Sequence, residues 1–377
     1  FGVVCAATAS CDDWLTIYPQ DRIVEENFWE DKNDLDGVRY AAYKKMASSS
    51  MSKFFIWGDL RADAYAMNPM MPQDGSARTI YNRYEKIVQA EPDSSMTEFD
   101  WASAYTTINY CSKVLYNGPK VVERDPQLSS ADWQQIKAEM VTLRALNYFY
   151  LLRAFKDIPY STKVISKDSE VETFTLTNQL AVLDSCIYSI EGNTSNGYAG
   201  GVLTASGVGT ARNRFANIMD TKGMITNAAI YAILSDMYLW RASLHEGRWG
   251  KSDQSTIADD ATIHTPKSDY EKAAAYADKA LAALQQQNEE ESKNYSTKDV
   301  KVSTGLASGL ASYGTPNVYL IYDEFKTTSN TSFKLSVFDE LYTQGNSRES
   351  ILELQISSAN GTENNMVNEF YTYNTNT

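Results

Sequence analysis

Residues Trp57 to Tyr84 (WGDLRADAYAMNPMMPQDGSARTIYNRY) set Asp59, Arg61, Asp63, Tyr65, Asn68 and Tyr81 around a Pro- and Gly-bearing loop. Tyr313 to Phe325 (YGTPNVYLIYDEF) does something similar with Tyr313, Asn317, Tyr319 and Tyr322. The chemistry such mixtures offer is non-covalent. Aromatic faces pack against sugar C–H surfaces, and carboxylates, amides and guanidinium groups bond to hydroxyls. Each group also has a structural reading. Asp59 and Arg61 can cap or pair across helices, the commoner fate of such charges. Tyr319 and Tyr322 fit a core, and the core reading is favoured there. Trp101 and Tyr105 share a helical face with Ile108, so core packing is predicted for them rather than a sugar platform.

Reactive constellations are missing. There is no G-x-S-x-G, H-E-x-x-H or phosphate-cradling Gly loop. A glycosidase needs two carboxylates flanking the scissile bond, and adjacent Asp323 and Glu324 do not supply them. A surface glycosidase is therefore the least favoured reading, and the chain is expected not to be an enzyme. With His245 and His264 as the only histidines and no C-x-x-C, no metal site and no cofactor are expected. A net charge of −14 and a pI near 4.7 argue against nucleic acid and against an electrostatic hold on anionic lipid. Four cysteines in 377 residues are too few for a disulfide framework. Cys111 and Cys186 sit in apolar-periodic stretches and read as small buried hydrophobes, with a single bond between them as the alternative.

The elements that must position these groups are helices. Leu35, Val38, Ala42, Tyr43 and Met46 mark one face, and residues 12–34 before them read as an extended tether. Phe99, Trp101, Tyr105, Ile108, Val114 and Leu115 mark a second helix, ended by Asn117-Gly118-Pro119. The clearest runs from Ser129 towards Pro159, with Ser130 as the predicted N-cap and Trp133, Ile136, Met140, Leu143, Asn147, Tyr150 and Ala154 as its stripe. Arg144 and Arg153 on it read as structural braces. Further helices are predicted from Thr226 to about Leu244, and over Tyr270 to Leu284 with a stripe of Tyr270, Ala274, Ala277, Leu281 and Leu284. Residues 191–223 and 286–318, rich in Gly, Ser, Asn and Thr, read as long loops. Ser350 to Ile356 alternates like a short strand.

At the N-terminus an apolar, small-residue stretch (FGVVCAATAS) runs into Cys11-Asp12-Asp13. Thr8-Ala9-Ser10-Cys11 resembles the lipobox of bacterial lipoproteins, departing at Thr8 where that pattern prefers Leu. Cys11 is thus the expected lipid attachment. The acidic pair behind it resembles the signal that sends lipoproteins to the outer face of the outer membrane. An N-terminal strand with an incidental cysteine is the alternative.

Several segments together resemble the SusD/RagB family of surface nutrient-binding lipoproteins. Cys11 to Met46 carries the cysteine, a Pro-containing tether, Phe28-Trp29 and Ala41-Ala42-Tyr43. Ala138 to Pro159 (AEMVTLRALNYFYLLRAFKDIP) carries an Arg-Ala, an aromatic cluster, a Leu-Leu-Arg and an Asp-x-Pro exit. Ala228 to Trp240, Tyr270 to Leu284 and Glu349 to Gln355 match further segments in order. The resemblance implies a mostly α, right-handed helical body with tetratricopeptide-like helix pairs, long decorating loops and minor short strands. It implies capture of an oligosaccharide or polysaccharide, or alternatively a peptide, and delivery to a SusC-like TonB-dependent transporter. It also implies a ligand-proximal loop after the Gly-Asp-x-Arg at residues 58–61. A helical protein-interaction scaffold without a small ligand is the reading from another class. The family's Glu-Arg and Glu-Gly-x-Arg helix is not found, and residues 357–377 are loop-like. The expectation is of a chain cut at both ends: a signal-peptide remnant over 1–10, a lipidated tether over 11–34, and a SusD-like helical domain over 35–377 that is C-terminally incomplete.

Overall fold

A computed structural model of the chain describes residues 28–61, 75–88, 96–166, 175–193, 201–203, 222–246, 265–295 and 350–356, with backbone alone over 75–81 and 287–295. The first helix, α1 (Lys32–Lys45), opens on a capping box. Asp31 accepts from the Asn33 and Asp34 amides at 2.7 and 3.1 Å, and Asp34 accepts back from the Asp31 amide at 3.2 Å. The helix starts ahead of Leu35, and Trp29 is already buried. A π turn over Met46–Ser50 leads into α2 (Met51–Trp57). After α3 (Gly75–Val88), which buries Tyr84 and Ile87, come two long helices of the core.

These are α4 (Ala102–Arg124) and α5 (Ser130–Phe155). Their short connection makes them antiparallel, and the Arg144 guanidinium reaching the Ser112 hydroxyl at 3.3 Å shows the register. Two expectations are corrected here. Asn117-Gly118-Pro119 does not end α4, which continues through it to Arg124. An internal proline costs about 3 kcal/mol. Burial of Val114, Gly118 and Val121 against the α5 side offsets it, with the Trp133 ring lying where a Gly118 side chain would be. The cap of α5 is Ser129 rather than Ser130, because the Ser129 backbone is extended and its hydroxyl accepts from the Asp132 amide at 3.1 Å.

A two-residue antiparallel pair, β1 (Ile158–Pro159) with β2 (Leu176–Thr177), closes the end of α5 and precedes α6 (Gln179–Glu191). Thr226 caps α7 (Asn227–His245), and Pro266 occupies the first position of α8 (Pro266–Tyr295), where its missing N–H is harmless. The second pair is antiparallel too: Ser235 bonds the Ala273 carbonyl, Tyr231 stacks with Tyr276, and Arg241 meets Asp269. The helix overruns the loop predicted from residue 286, since Gln and Glu between 285 and 291 are good helix formers. Of the predicted α8 stripe, Leu284 packs inward while Leu281 faces out at 50% exposure; the packed face is set by Ala273, Ala280 and Leu284. Residues 350–356 are irregular rather than a strand, fastened through the Glu353 amide to the Lys222 carbonyl at 2.9 Å. The mostly α fold with tetratricopeptide-like pairs is otherwise what the sequence predicts.

Buried charge locks the pairs together. Arg39 on α1 meets Glu139 on α5 through two hydrogen bonds of 2.8 and 2.9 Å, and Tyr43 donates to the same carboxylate at 3.3 Å. Arg241 on α7 holds Asp269 on α8 at 2.9 and 2.7 Å and Asp184 on α6 at 2.7 Å. Cys111 and Cys186 are both buried and both free, so the single-bond alternative does not hold. Burial pushes each thiol up to about 12.

Candidate functional site

The last turns of α5 and the outer side of α7 build one polar and aromatic surface. α5 stops abruptly because Lys156 adopts a left-handed backbone, φ 63°. Arg153 near that end faces α7, while Tyr150 stacks on Phe54 of α2. The Arg153 guanidinium bonds Asp236 at 3.2 Å and lies over the rings of Phe149 (5.2 Å) and Trp240 (4.8 Å). Phe149 meets Trp240 nearly at right angles, 6.4 Å between centroids. Asp236 and Trp240 lie four residues apart on α7 and so share its face. With Leu239, Ser243 and Tyr270 at the start of α8, they line a cleft of about 400 Å³.

Partial burial shifts two ionisable groups at this surface. Burial raises the Asp236 carboxyl above its usual range, and Arg153 opposes that. The Tyr150 phenol is raised chiefly by burial; Arg153 pulls it down, while Asp236 and Asp59 push it up. The cleft thus offers a carboxylate braced by a guanidinium, a serine hydroxyl, and indole and phenol rings. It can bond hydroxyls and pack C–H faces. Among the described residues, no group of three His, Cys, Asp or Glu could hold a metal ion.

Of the residues predicted from sequence, Asp59 and Arg61 sit exposed on a short 3-10 turn over 59–61, flanking buried Leu60. Tyr81 lies on α3, described there by backbone alone. Asp63, Tyr65, Asn68, Tyr313, Asn317 and Cys11 lie outside the described residues. The bracing role expected of Arg153 is what it performs. Not among the predicted candidates were Tyr150 and Tyr270, read as members of helix stripes, and Asp236, Leu239, Trp240 and Ser243. No local signal marked them, and the 50% exposure of Leu239 is a property of the fold.

From this surface a run of rings crosses the end of α5. Tyr150 stacks on Phe54 at 4.1 Å, Phe54 meets Trp57, and Trp57 meets Phe155 at 5.1 Å. Phe155 then contacts Trp101 at 5.2 Å. Core packing was expected for Trp101, yet it is 37% exposed. It precedes the first residue of α4, so the helical face of Ile108 does not carry it inward.

Residues 14–192 match the model of the SusD-like family described as "Starch-binding associating with outer membrane". The chain is similar to SusD-like protein P38 of Formosa agariphila, 28% identical over 182 residues, covering 48% of this chain and 33% of that protein. SusD-like protein P2 of the same organism is 22% identical, covering 51% and 36%. The chain thus spans about a third of the length of these relatives. Among solved structures it resembles B. fragilis NanU, 17% identical with a TM-score of 0.45, covering 72% of this chain and 44% of that one.

Proposed function

We propose that this chain, which over residues 14–192 belongs to the SusD-like family, captures a glycan and holds it without reaction. The observation that carries the proposal is the cleft of Asp236, Leu239, Trp240, Ser243 and Tyr270, which joins ring faces to polar groups fixed by Arg153. The family's starch-binding description supports a carbohydrate over a peptide as cargo. The segment after Gly58-Asp59-Leu60-Arg61, with Asp63, Tyr65 and Asn68, is proposed to extend the site, together with Tyr81 on α3, Tyr313 and Asn317.

The place of action follows from the same reading. Association with the outer membrane is part of the family description, and among the described residues no helix is long and apolar enough to cross a membrane. Acyl chains on Cys11 hold the protein there, each buried methylene adding about 0.8 kcal/mol. It faces the exterior and passes cargo to a SusC-like TonB-dependent transporter.

Titration calorimetry against polysaccharides and peptides, with an assay for new reducing ends, tests the binding. Saturable glycan binding without new ends is expected. New ends would make the protein an enzyme, saturation by peptides alone would change the cargo, and saturation by neither leaves the scaffold reading. Cys11→Ala is expected to release the protein into the soluble fraction; unchanged membrane association contradicts the anchor. A large barrel protein should co-purify from detergent extracts, and its absence from extracts of intact outer membranes contradicts delivery.

A further inference from the structure

We propose that Trp101 is a second sugar-contacting platform, separate from the cleft on α7; the proposal rests on the glycan reading above. Trp29, Trp57 and Trp133 are each at most 7% exposed, whereas Trp101 is 37% exposed. The indole is nonetheless held firmly. Near-perpendicular contacts with Tyr105 (5.8 Å, 81°) and Phe155 (5.2 Å, 69°) fix the ring. Tyr105 is itself fixed by donating to the Pro159 carbonyl at 2.7 Å. The Trp101 carbonyl accepts from the Ala104 and Tyr105 amides at 3.1 and 3.2 Å, which fixes the backbone as well. An aromatic ring that costs no further ordering is what stacking on a sugar requires.

Capping does not account for the residue. Trp101 stands at the N-cap of α4, where Ser, Thr, Asp or Asn are preferred, and its side chain makes no capping bond. The adjacent Asp100 does that work instead, accepting from the Ala102 amide at 3.0 Å. Asp100 also accepts from the Lys53 ammonium at 3.0 Å, and its side chain is half exposed. The Ala102 amide and then Lys53 hold its carboxyl below the usual range, so it stays ionised with lone pairs facing solvent. A rigid exposed indole beside an oriented carboxylate has the two parts that a pyranose contact needs: a C–H face partner and a hydroxyl acceptor.

The test uses the full chain with soluble starch and a soluble β-glucan as probes. Affinity electrophoresis compares wild type with Trp101→Ala, Trp101→Phe and Asp100→Asn, each checked by circular dichroism. Oxidation of tryptophan by N-bromosuccinimide is mapped in parallel by mass spectrometry, with and without the retarding polysaccharide. For a polysaccharide that retards the wild type, Trp101→Ala should weaken binding roughly three- to tenfold, Trp101→Phe less, and Trp101 oxidation should be suppressed by ligand. Unchanged retardation of Trp101→Ala with unprotected Trp101, while the wild type still binds, overturns the platform and leaves the glycan reading standing. No retardation of the wild type by either probe overturns both.

Discussion

The guanidinium of Arg153 lies 4.8 Å from the centroid of the Trp240 ring while it holds Asp236, one turn earlier on the same helix, at 3.2 Å. One side chain from α5 thereby orients both the ring and the carboxylate of the α7 cleft. The Arg153 and Asp236 side chains keep 34% and 50% of their area in solvent, and ion pairs open to water contribute about 0–1 kcal/mol to stability. Arg153→Ala should therefore shift the thermal midpoint little. It should weaken glycan binding severalfold, since ring and carboxylate lose their fixed orientation. Differential scanning calorimetry beside ligand titration reads the two effects; a large loss of stability with unchanged affinity would refute the assignment.

Arg39 and Glu139 are buried and a hundred residues apart in sequence. Removing one partner strands a buried charge, which costs about 3–5 kcal/mol. Glu139→Leu and Arg39→Met should each be strongly destabilised in urea unfolding. The double variant should recover much of the loss, because an apolar pair of similar volume leaves no orphaned charge.

Gly118 separates two opposing effects. Alanine has the better helix propensity, by about 1 kcal/mol. Yet a Cβ at Gly118 would lie 2.1 Å from ring atoms of Trp133, which is buried and has little room to retreat. Overpacking of that kind costs about 1–3 kcal/mol. Gly118→Ala should lower the unfolding midpoint, and Gly118→Ala with Trp133→Leu should lose less than the two single changes added together.

The buried thiols give a signed pH dependence. Cys111 and Cys186 are raised from 9.0 to about 12 in the folded chain, so folding favours their neutral forms. That contribution is fully present below pH 9.0 and is lost as pH rises through about 12. Urea unfolding between pH 8 and pH 11 should show stability falling above pH 9, and Cys111→Ala with Cys186→Ala should make the fall shallower. In the native protein at pH 8 neither thiol should react with a thiol reagent until unfolding exposes it.

Helices were legible in the sequence because their signals are local. The 3.6-residue spacing along α5 and the helical stretch from Thr226 are contained in the segments they describe. Pro119 misled because its local cost is outweighed by the fit of Gly118 against Trp133, a contact with another helix. The cleft was hidden for the same reason. Trp240 has the spacing of a core residue, and only the approach of Arg153 from α5 shows that its ring borders a polar opening. Asp236 is one of 48 acidic residues, with nothing local to distinguish it from a solvated one.

Calorimetric titration of wild type, Trp240→Ala and Asp236→Asn with one bound polysaccharide tests the central claim most directly. The account predicts saturable binding by the wild type, a loss of about tenfold for Trp240→Ala and a smaller loss for Asp236→Asn, with all three equally helical. Equal affinity of all three proteins for that polysaccharide would contradict it.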